Sequence, residues 1–325
     1  MPDIVRWGIL GTSGFARRRV IPAVRDAVHA RIIAVASRDA GRAESYAREL
    51  DIAKAHASYD ALLDDPEIDA VYVALPNHKH AAWATRAIEA GKHVLCEKPI
   101  ACKAEDVQQI IAARDRHGVK AGEAFMVALH PQWVRVRDLI QSGRIGEVRA
   151  IQTNFGFLMT GAGNIRDVAE YGGGALLDIG CYPVFCSRFV LEWEPRRVFC
   201  TMEFDPQSGV DRMLSGILDF GQVQSSFVCS FVTAPHQSMV FLGTKGSVAL
   251  EIPFNPPPGR PARVVLDGEA IDVPMSNQFT LEFDAFSRAI LNDGSVPVTL
   301  ESAMGNMKVL DALRTSAESG SWETP

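Results

Sequence analysis

The segment Gly8-Ile9-Leu10-Gly11-Thr12-Ser13-Gly14-Phe15-Ala16 follows an apolar run, Val5 to Leu10, and opens a helical pattern. Against the spacing G-x-G-x-x-G/A, Gly11 makes the tight turn and Ala16 packs helix on sheet, while Ser13 with Gly14 stands in for the middle glycine. A helix N-terminus at this place turns backbone N–H groups and the positive end of a dipole toward a pyrophosphate. The next strand pattern ends Ala34-Val35-Ala36-Ser37-Arg38, a hydroxyl and a guanidinium where a carboxylate for a ribose 2′-hydroxyl is usual. Arg38, with Arg42 about one helical turn on, suits a 2′-phosphate through charge-assisted bonds, so NADP(H) is favoured and NAD(H) is the second choice. Asp39 offsets part of that preference, and the plainer reading makes both arginines solvated surface charges.

Two further strand patterns are followed by Leu75-Pro76-Asn77-His78-Lys79-His80 and by Cys96-Glu97-Lys98-Pro99. Open α/β sheets bind ligands at these carboxyl ends. A lysine partly desolvated under a nicotinamide ring can polarise or protonate an alcohol or carbonyl oxygen; taken alone, Lys98 reads as a surface lysine. Later come Gly172-Gly173-Gly174-Ala175-Leu176-Leu177-Asp178-Ile179-Gly180-Cys181-Tyr182-Pro183. The glycines let the backbone pass close to something bulky. Asp178 and Tyr182 fall at i and i+4 on one helix face, an acid beside a phenol; the bland alternative is a capping Asp and a packed Tyr. Pro183 disturbs an uninterrupted helix and marks an N-terminal turn. Arg17-Arg18-Arg19 reads as a solvated face. His78, His80 and His130 lack a third ligand at sensible spacing, so no metal is assigned.

The elements that must position these residues change character along the chain. Up to residue 123, β-type runs at 5–10, 32–37, 53–57, 70–75, 93–96 and 119–124 alternate with helical patterns at 14–28, 40–50, 78–90 and 103–117. That alternation is the signature of a doubly wound parallel sheet. After a helix at 130–142, runs at 147–157, 198–204, 213–220, 223–231, 239–243 and 247–252 predict a large, mostly antiparallel open sheet. A helix at 174–190 interrupts it, and helices at 279–291 and 300–317 close the chain. The expected division is a Rossmann domain over 1–123 and an α+β substrate-binding and oligomerisation domain over 124–325.

The 325 residues leave room for a core in each part, and 47% hydrophobic with 22% charged residues is a globular balance. The net charge of −6 supplies no basic field for a nucleic-acid backbone. Apolar runs fall short of the roughly 20 residues of a membrane span, and the opening residues read as a strand rather than a signal peptide. Cys96, Cys102, Cys181, Cys186, Cys200 and Cys229 show no C-x-x-C pair; reduced thiols in a cytoplasmic protein are expected.

Taken together, these residues resemble the Gfo/Idh/MocA family of nicotinamide-dependent oxidoreductases. Gly11 to Ala16, Asn77-x-x-His80, Glu97-Lys98-Pro99, Gly172 to Pro183, Gly243-Thr244-Lys245-Gly246-Ser247 and Pro253-Phe254-Asn255-Pro256-Pro257 carry the likeness over nearly the whole chain. Tyr182 stands where many members have a histidine. It aligns the chain with the branch of D-xylose dehydrogenase, dimeric dihydrodiol dehydrogenase, anhydrofructose reductase and glucose–fructose oxidoreductase.

The resemblance implies that Lys98 touches the nicotinamide ribose and the substrate oxygen, Tyr182 is the general acid/base, and Asp178 orients the substrate. It implies cofactor contacts from Gly11, Thr12, Ser13, Gly14, Phe15 and Ala16, from Ser37, Arg38 and Arg42, and from Leu75, Pro76, Asn77 and His80. Glu97, Lys98, Ile165, Arg166 and Phe279 complete that set, with the region Glu123 to Met126 nearby. Sugar-converting relatives tend to carry an arginine where this chain has Ala128 in Met126-Val127-Ala128, a missing cationic contact. A homodimer or homotetramer pairing through the open sheet face is implied. The expected activity is NADP(H)-dependent hydride transfer at a CH–OH or C=O carbon of a sugar or sugar-like diol. Its rivals are a non-catalytic dinucleotide sensor and a glycosidase that recycles its nicotinamide; Lys98, Asp178 and Tyr182 together argue for chemistry.

Overall fold

A computed structural model of the chain describes residues 3–160 and 163–325. The first unit begins with Val5–Leu10 (β1), Ile21–Val24 (α1), Ala30–Ala36 (β2), Ala40–Glu49 (α2), Lys54–His56 (β3) and Tyr59–Leu63 (α3). It continues through Ala70–Val73 (β4), His80–Glu89 (α4), His93–Glu97 (β5), Ala104–His117 (α5) and Ala121–Ala124 (β6). The strands form one parallel sheet in the order β3-β2-β1-β4-β5-β6. The chain starts in the middle, winds to one edge and returns to the other, which leaves a switch point between β1 and β4. All of β4 and most of β1 are buried, so these strands read as continuous apolar runs rather than alternating ones.

The second unit begins with Pro131–Gln141 (α6), Val148–Leu158 (β7), Cys181–Leu191 (α7), Arg197–Phe204 (β8), Asp211–Asp219 (β9) and Gln224–Ser230 (β10). Val232–Gly243 (β11), Ser247–Leu250 (β12), Ala262–Leu266 (β13) and Glu269–Val273 (β14) follow. Its eight strands are ordered β14-β13-β12-β11-β7-β10-β9-β8; β7 and β10 run parallel and the other pairs antiparallel. β13 and β14 were absent from the expected strands. They form a hairpin across Asp267 and Gly268, both at positive φ, the primed-turn geometry that an Asp-Gly pair favours. β11 also starts earlier than the expected run at 239, because exposed, polar residues around Pro235 mask its first half.

The helices Gln278–Leu291 (α8) and Leu300–Ser319 (α9) close the chain. The compact units are Met1–Met126 with Asn277–Met304, and Val127–Ser276 with Gly305–Pro325. A single cut after residue 123 leaves 277–304 with the second part, whereas the contacts put this segment in the first. The cause is Trp7, fully buried on β1: its indole Nε1 donates to Ser287 Oγ at 3.1 Å. Phe283 and Phe286 of α8 pack against its ring at centroid distances of 4.8 and 5.7 Å.

One stretch, Ala169–Leu191, is by length and composition apolar enough to cross a bilayer, longer than the runs expected from the sequence. Its apolar window is 83% buried within the protein. A buried core helix satisfies the same criteria, and α7 buries nearly every residue.

Candidate active site

In the first unit, β1 ends in Gly11 at φ 104, where a Cβ would stand 2.7 Å from the Ala74 carbonyl oxygen at the end of β4. Only glycine fits there without strain. Ser13 then caps the helix that follows: its Oγ accepts from the N–H groups of Phe15 at 3.2 Å and Ala16 at 3.3 Å. The Ser13 carbonyl accepts from Tyr46 Oη at 2.8 Å, which ties the turn to α2. Ser13 therefore replaces the expected middle glycine with a cap. The helix expected over 14–28 is shorter and irregular, a π turn at Ala16–Val20 followed by α1. Phe15 is exposed and packs edge-on against Phe279, at 5.6 Å between centroids, so the late phenylalanine does reach the turn.

Beyond β2, Asp39 has a committed carboxylate: Oδ1 accepts from the Arg42 N–H at 2.9 Å as the N-cap of α2. Ser37 is buried and its Oγ accepts from the Asp39 N–H at 3.3 Å. Arg38 and Arg42 are exposed, and neither guanidinium forms an ion pair among the described residues. The Arg17-Arg18-Arg19 run is exposed, with Arg17 on Glu49 at 3.2 Å.

At the carboxyl ends of β4 and β5, Leu75, Pro76 and Asn77 are half-buried and lead into α4, and Lys98 is half-buried after β5. Glu97 accepts from Tyr72 Oη and from the Lys98 N–H, the latter at 3.2 Å. His80, expected at the cofactor, is 1% exposed, with both ring nitrogens 2.7 Å from main-chain carbonyls, those of Pro99 and Leu75. The ring thus ties the turn after β4 to the segment after β5. His130 caps α6 through Nδ1, accepting from the Gln132 N–H at 3.2 Å, and burial pushes it down to about 4.

In the second unit the glycines have a definite cause. A Cβ on Gly173 would lie 2.4 Å from the Arg166 carbonyl oxygen, and one on Gly174, at φ 108, would lie 2.0 Å from Asp211 Oδ1. The bulky neighbour expected beside them is the chain itself. Asp211 Oδ2 accepts from the Leu176 N–H at 2.6 Å, and burial raises this carboxyl to about 6. A π turn over Leu176–Gly180 precedes α7, and Pro183 sits in the first turn of α7. Asp178 is largely buried and receives Arg166 Nε on Oδ2 at 2.5 Å. Arg166 is thus held by the candidate acid, while its neighbour Ile165 is exposed. Tyr182 is buried between Phe155 and Phe254, at 5.5 and 5.1 Å between centroids. Packing on aromatic rings fixes the phenol's orientation at little entropic cost.

Residues 5–125 match the oxidoreductase family with an NAD-binding Rossmann fold, and residues 133–249 match the GFO/IDH/MocA C-terminal domain. An uncharacterized oxidoreductase of Rhizobium meliloti is 44% identical over 99% of both chains. The chain belongs to the Gfo/Idh/MocA oxidoreductase family. It is accordingly an NAD(P)-dependent oxidoreductase. It is also similar to a D-xylose 1-dehydrogenase (NADP(+)) of Haloferax volcanii, 37% identical over 97% of this chain and 98% of that one. Among solved structures, a 3-ketoreductase from Actinomadura kijaniata in complex with NADP and TDP-benzene superposes with a TM-score of 0.91. It is 30% identical over 97% of this chain and 98% of the other. That enzyme was also solved with one tyrosine and with one lysine replaced.

The turn in the first unit suits a dinucleotide by its own chemistry. Gly11 keeps side-chain bulk out of the turn, and the N–H groups of Thr12, Ser13 and Gly14 take no acceptor among the described residues. Two arginines wait past a capped Asp39.

Proposed function

We propose that the chain uses NADP(H) to interconvert a carbinol and a carbonyl carbon of a sugar or sugar-like diol. The observation that carries the cofactor preference is the state of the β2 end: Asp39 is consumed as a cap, and Arg38 and Arg42 stand exposed where a 2′-phosphate would be recognised. Relatives named as NADP-dependent xylose dehydrogenase and as a ketoreductase of nucleotide-linked sugars support the substrate class. The interval between the lysine and the tyrosine replaced in the Actinomadura enzyme equals that between Lys98 and Tyr182, which supports the pairing of these two residues in the chemistry.

The nicotinamide supplies the hydride acceptor or donor when bound. In the oxidative direction Tyr182, as the phenolate, takes the hydroxyl proton and becomes the phenol, and the Lys98 ammonium stabilises negative charge developing on the substrate oxygen. Arg166 Nε holds Asp178 Oδ2 at 2.5 Å, which fixes the carboxylate in place to accept a substrate hydroxyl and orient it. A homodimer or homotetramer belongs to the same reading. It is supported by the outward face of the second sheet, where Val228 and Leu242 are exposed among Gln152, Asn154 and Ser226.

The test is the absorbance of reduced nicotinamide with NADP⁺ or NAD⁺ and a panel of aldoses, inositols and trans-diols. Turnover should prefer NADP⁺ and vanish in Lys98→Met. Arg38→Ala should lower kcat/KM for NADP⁺ by about 10–100-fold, the worth of one charge-assisted bond, and leave NAD⁺ nearly unchanged. Tight NADP(H) binding without turnover in either direction would overturn the proposal.

A further inference from the structure

Side chains from several elements hold the main chain at and just beyond Lys98. Glu97 Oε2 accepts from the Lys98 N–H at 3.2 Å, Glu123 Oε1 accepts from the Ile100 N–H at 2.9 Å, and His80 Nδ1 meets the Pro99 carbonyl at 2.7 Å. His80 joins two main-chain segments, because its Nε2 meets the Leu75 carbonyl at 2.7 Å on the turn after β4. A carbonyl oxygen only accepts hydrogen bonds. A neutral imidazole carries one N–H, so it satisfies one of these carbonyls and turns a lone pair toward the other, a repulsive approach in a buried site. The imidazolium satisfies both.

We propose that His80 is a positioning residue for Lys98, clamping the Lys98-Pro99 backbone to the β4 turn through a second hydrogen bond that exists only while both ring nitrogens carry protons. The inference rests on the proposed role of Lys98 for its catalytic half, whereas its structural half stands without that role.

The position of the transition follows from the surroundings. Burial lowers the ring's affinity for the second proton, and Lys98, after β5, and His78, in the turn leading into α4, lower it further. The two carbonyls act in the opposite sense, and the net direction is below the ordinary histidine value. The clamp is therefore complete only on the acid side of a midpoint that lies below the ordinary histidine value, and it loses one bond as pH rises through that midpoint.

The experiment is an NMR titration of the ¹⁵N-labelled wild-type chain from the lowest pH at which it stays folded up to about pH 8.5. It follows the His80 ring nitrogens and the amides of Lys98 and Ile100, with His80→Gln to assign the ring. Both nitrogens should be protonated at the acid end and one at the alkaline end, with the Lys98 amide shifting at the same midpoint. A ring that keeps one tautomer throughout, or that titrates while the Lys98 and Ile100 amides stay still, overturns the clamp. In turnover, the ratio of wild-type to His80→Gln kcat/KM should fall several-fold as pH rises through that midpoint. A constant ratio would reduce His80 to a merely structural residue. If the enzyme turns over none of the substrates, the proposed function fails while the NMR titration still decides the clamp; if Gln is not tolerated at position 80, the wild-type titration decides alone.

Discussion

Ala16–Val20 in the first unit and Leu176–Gly180 in the second are five-residue π turns, and each runs into a proline, Pro22 and Pro183. A proline has no N–H for the carbonyl four residues back, and its ring crowds that carbonyl. The carbonyls concerned, of Arg18 and Ile179, lie inside the two π turns, whose wider winding relieves the mismatch. The same backbone device thus appears twice. What differs is how the donors at its start are satisfied. The first turn is capped by the neutral Ser13 hydroxyl and has no carboxylate on it, so the positive end of the helix remains available to an anion. The second already holds the Asp211 carboxyl on the Leu176 N–H, and its next acid, Asp178, is paired with Arg166. A helix start binds an external anion when the chain has not supplied its own. The chemistry of the first turn suits a pyrophosphate, and the second holds an acid and a phenol in fixed positions.

This contrast breaks most decisively at Tyr182. Tyr182→Phe should lower kcat by about 10²–10⁴-fold, the range for losing a general acid/base, with the cofactor Kd from fluorescence titration unchanged. A weakened Kd with an intact kcat would make the second turn a cofactor site and erase the distinction. Gly11→Ala probes the other side. The new Cβ meets the Ala74 carbonyl at positive φ, a strain on the order of 1–3 kcal/mol, so the NADP(H) Kd should rise about tenfold or more and Tm should fall. Unaltered affinity would remove the turn from the phosphate site.

The smallest effect concerns Asp211. Burial raises it to about 6, above its value in the unfolded chain, so the folded chain holds this proton more tightly. Its contribution to stability is complete below about pH 4 and is lost as pH rises through about 6, a change on the order of 1–3 kcal/mol. Urea unfolding at several pH values should show this decline in the wild type and its absence in Asp211→Asn. Parallel declines in both proteins would mean that Asp211 does not titrate in this range.

Much of the architecture was legible from local pattern. The six strands of the first sheet, the glycine turn after β1 and the arginines after β2 follow from continuous apolar runs, turn chemistry and charge, each a property of a few adjacent residues. The Asp267-Gly268 pair is a hairpin signal of two residues, and the short strands on either side of it were not among the expected runs. The site was less legible. Lys98, Asp178 and Tyr182 were singled out by residue type and by resemblance, yet nothing in the spacing revealed that Arg166 is held by Asp178, that Glu97 faces Tyr72, or that His80 is buried.

The sequence by itself determined the order of elements and the fold of each unit, because periodicity and turn residues act over distances of one or two turns of chain. Tertiary structure decided which residues those elements bring together. Trp7 draws α8 onto the first unit from more than 270 positions away, Asp211 fills the space left by Gly174, and His80 closes on Leu75 and Pro99. These are contacts between side chains and backbone distant in sequence, and burial sets their protonation and strength, so they exist only once the chain has folded.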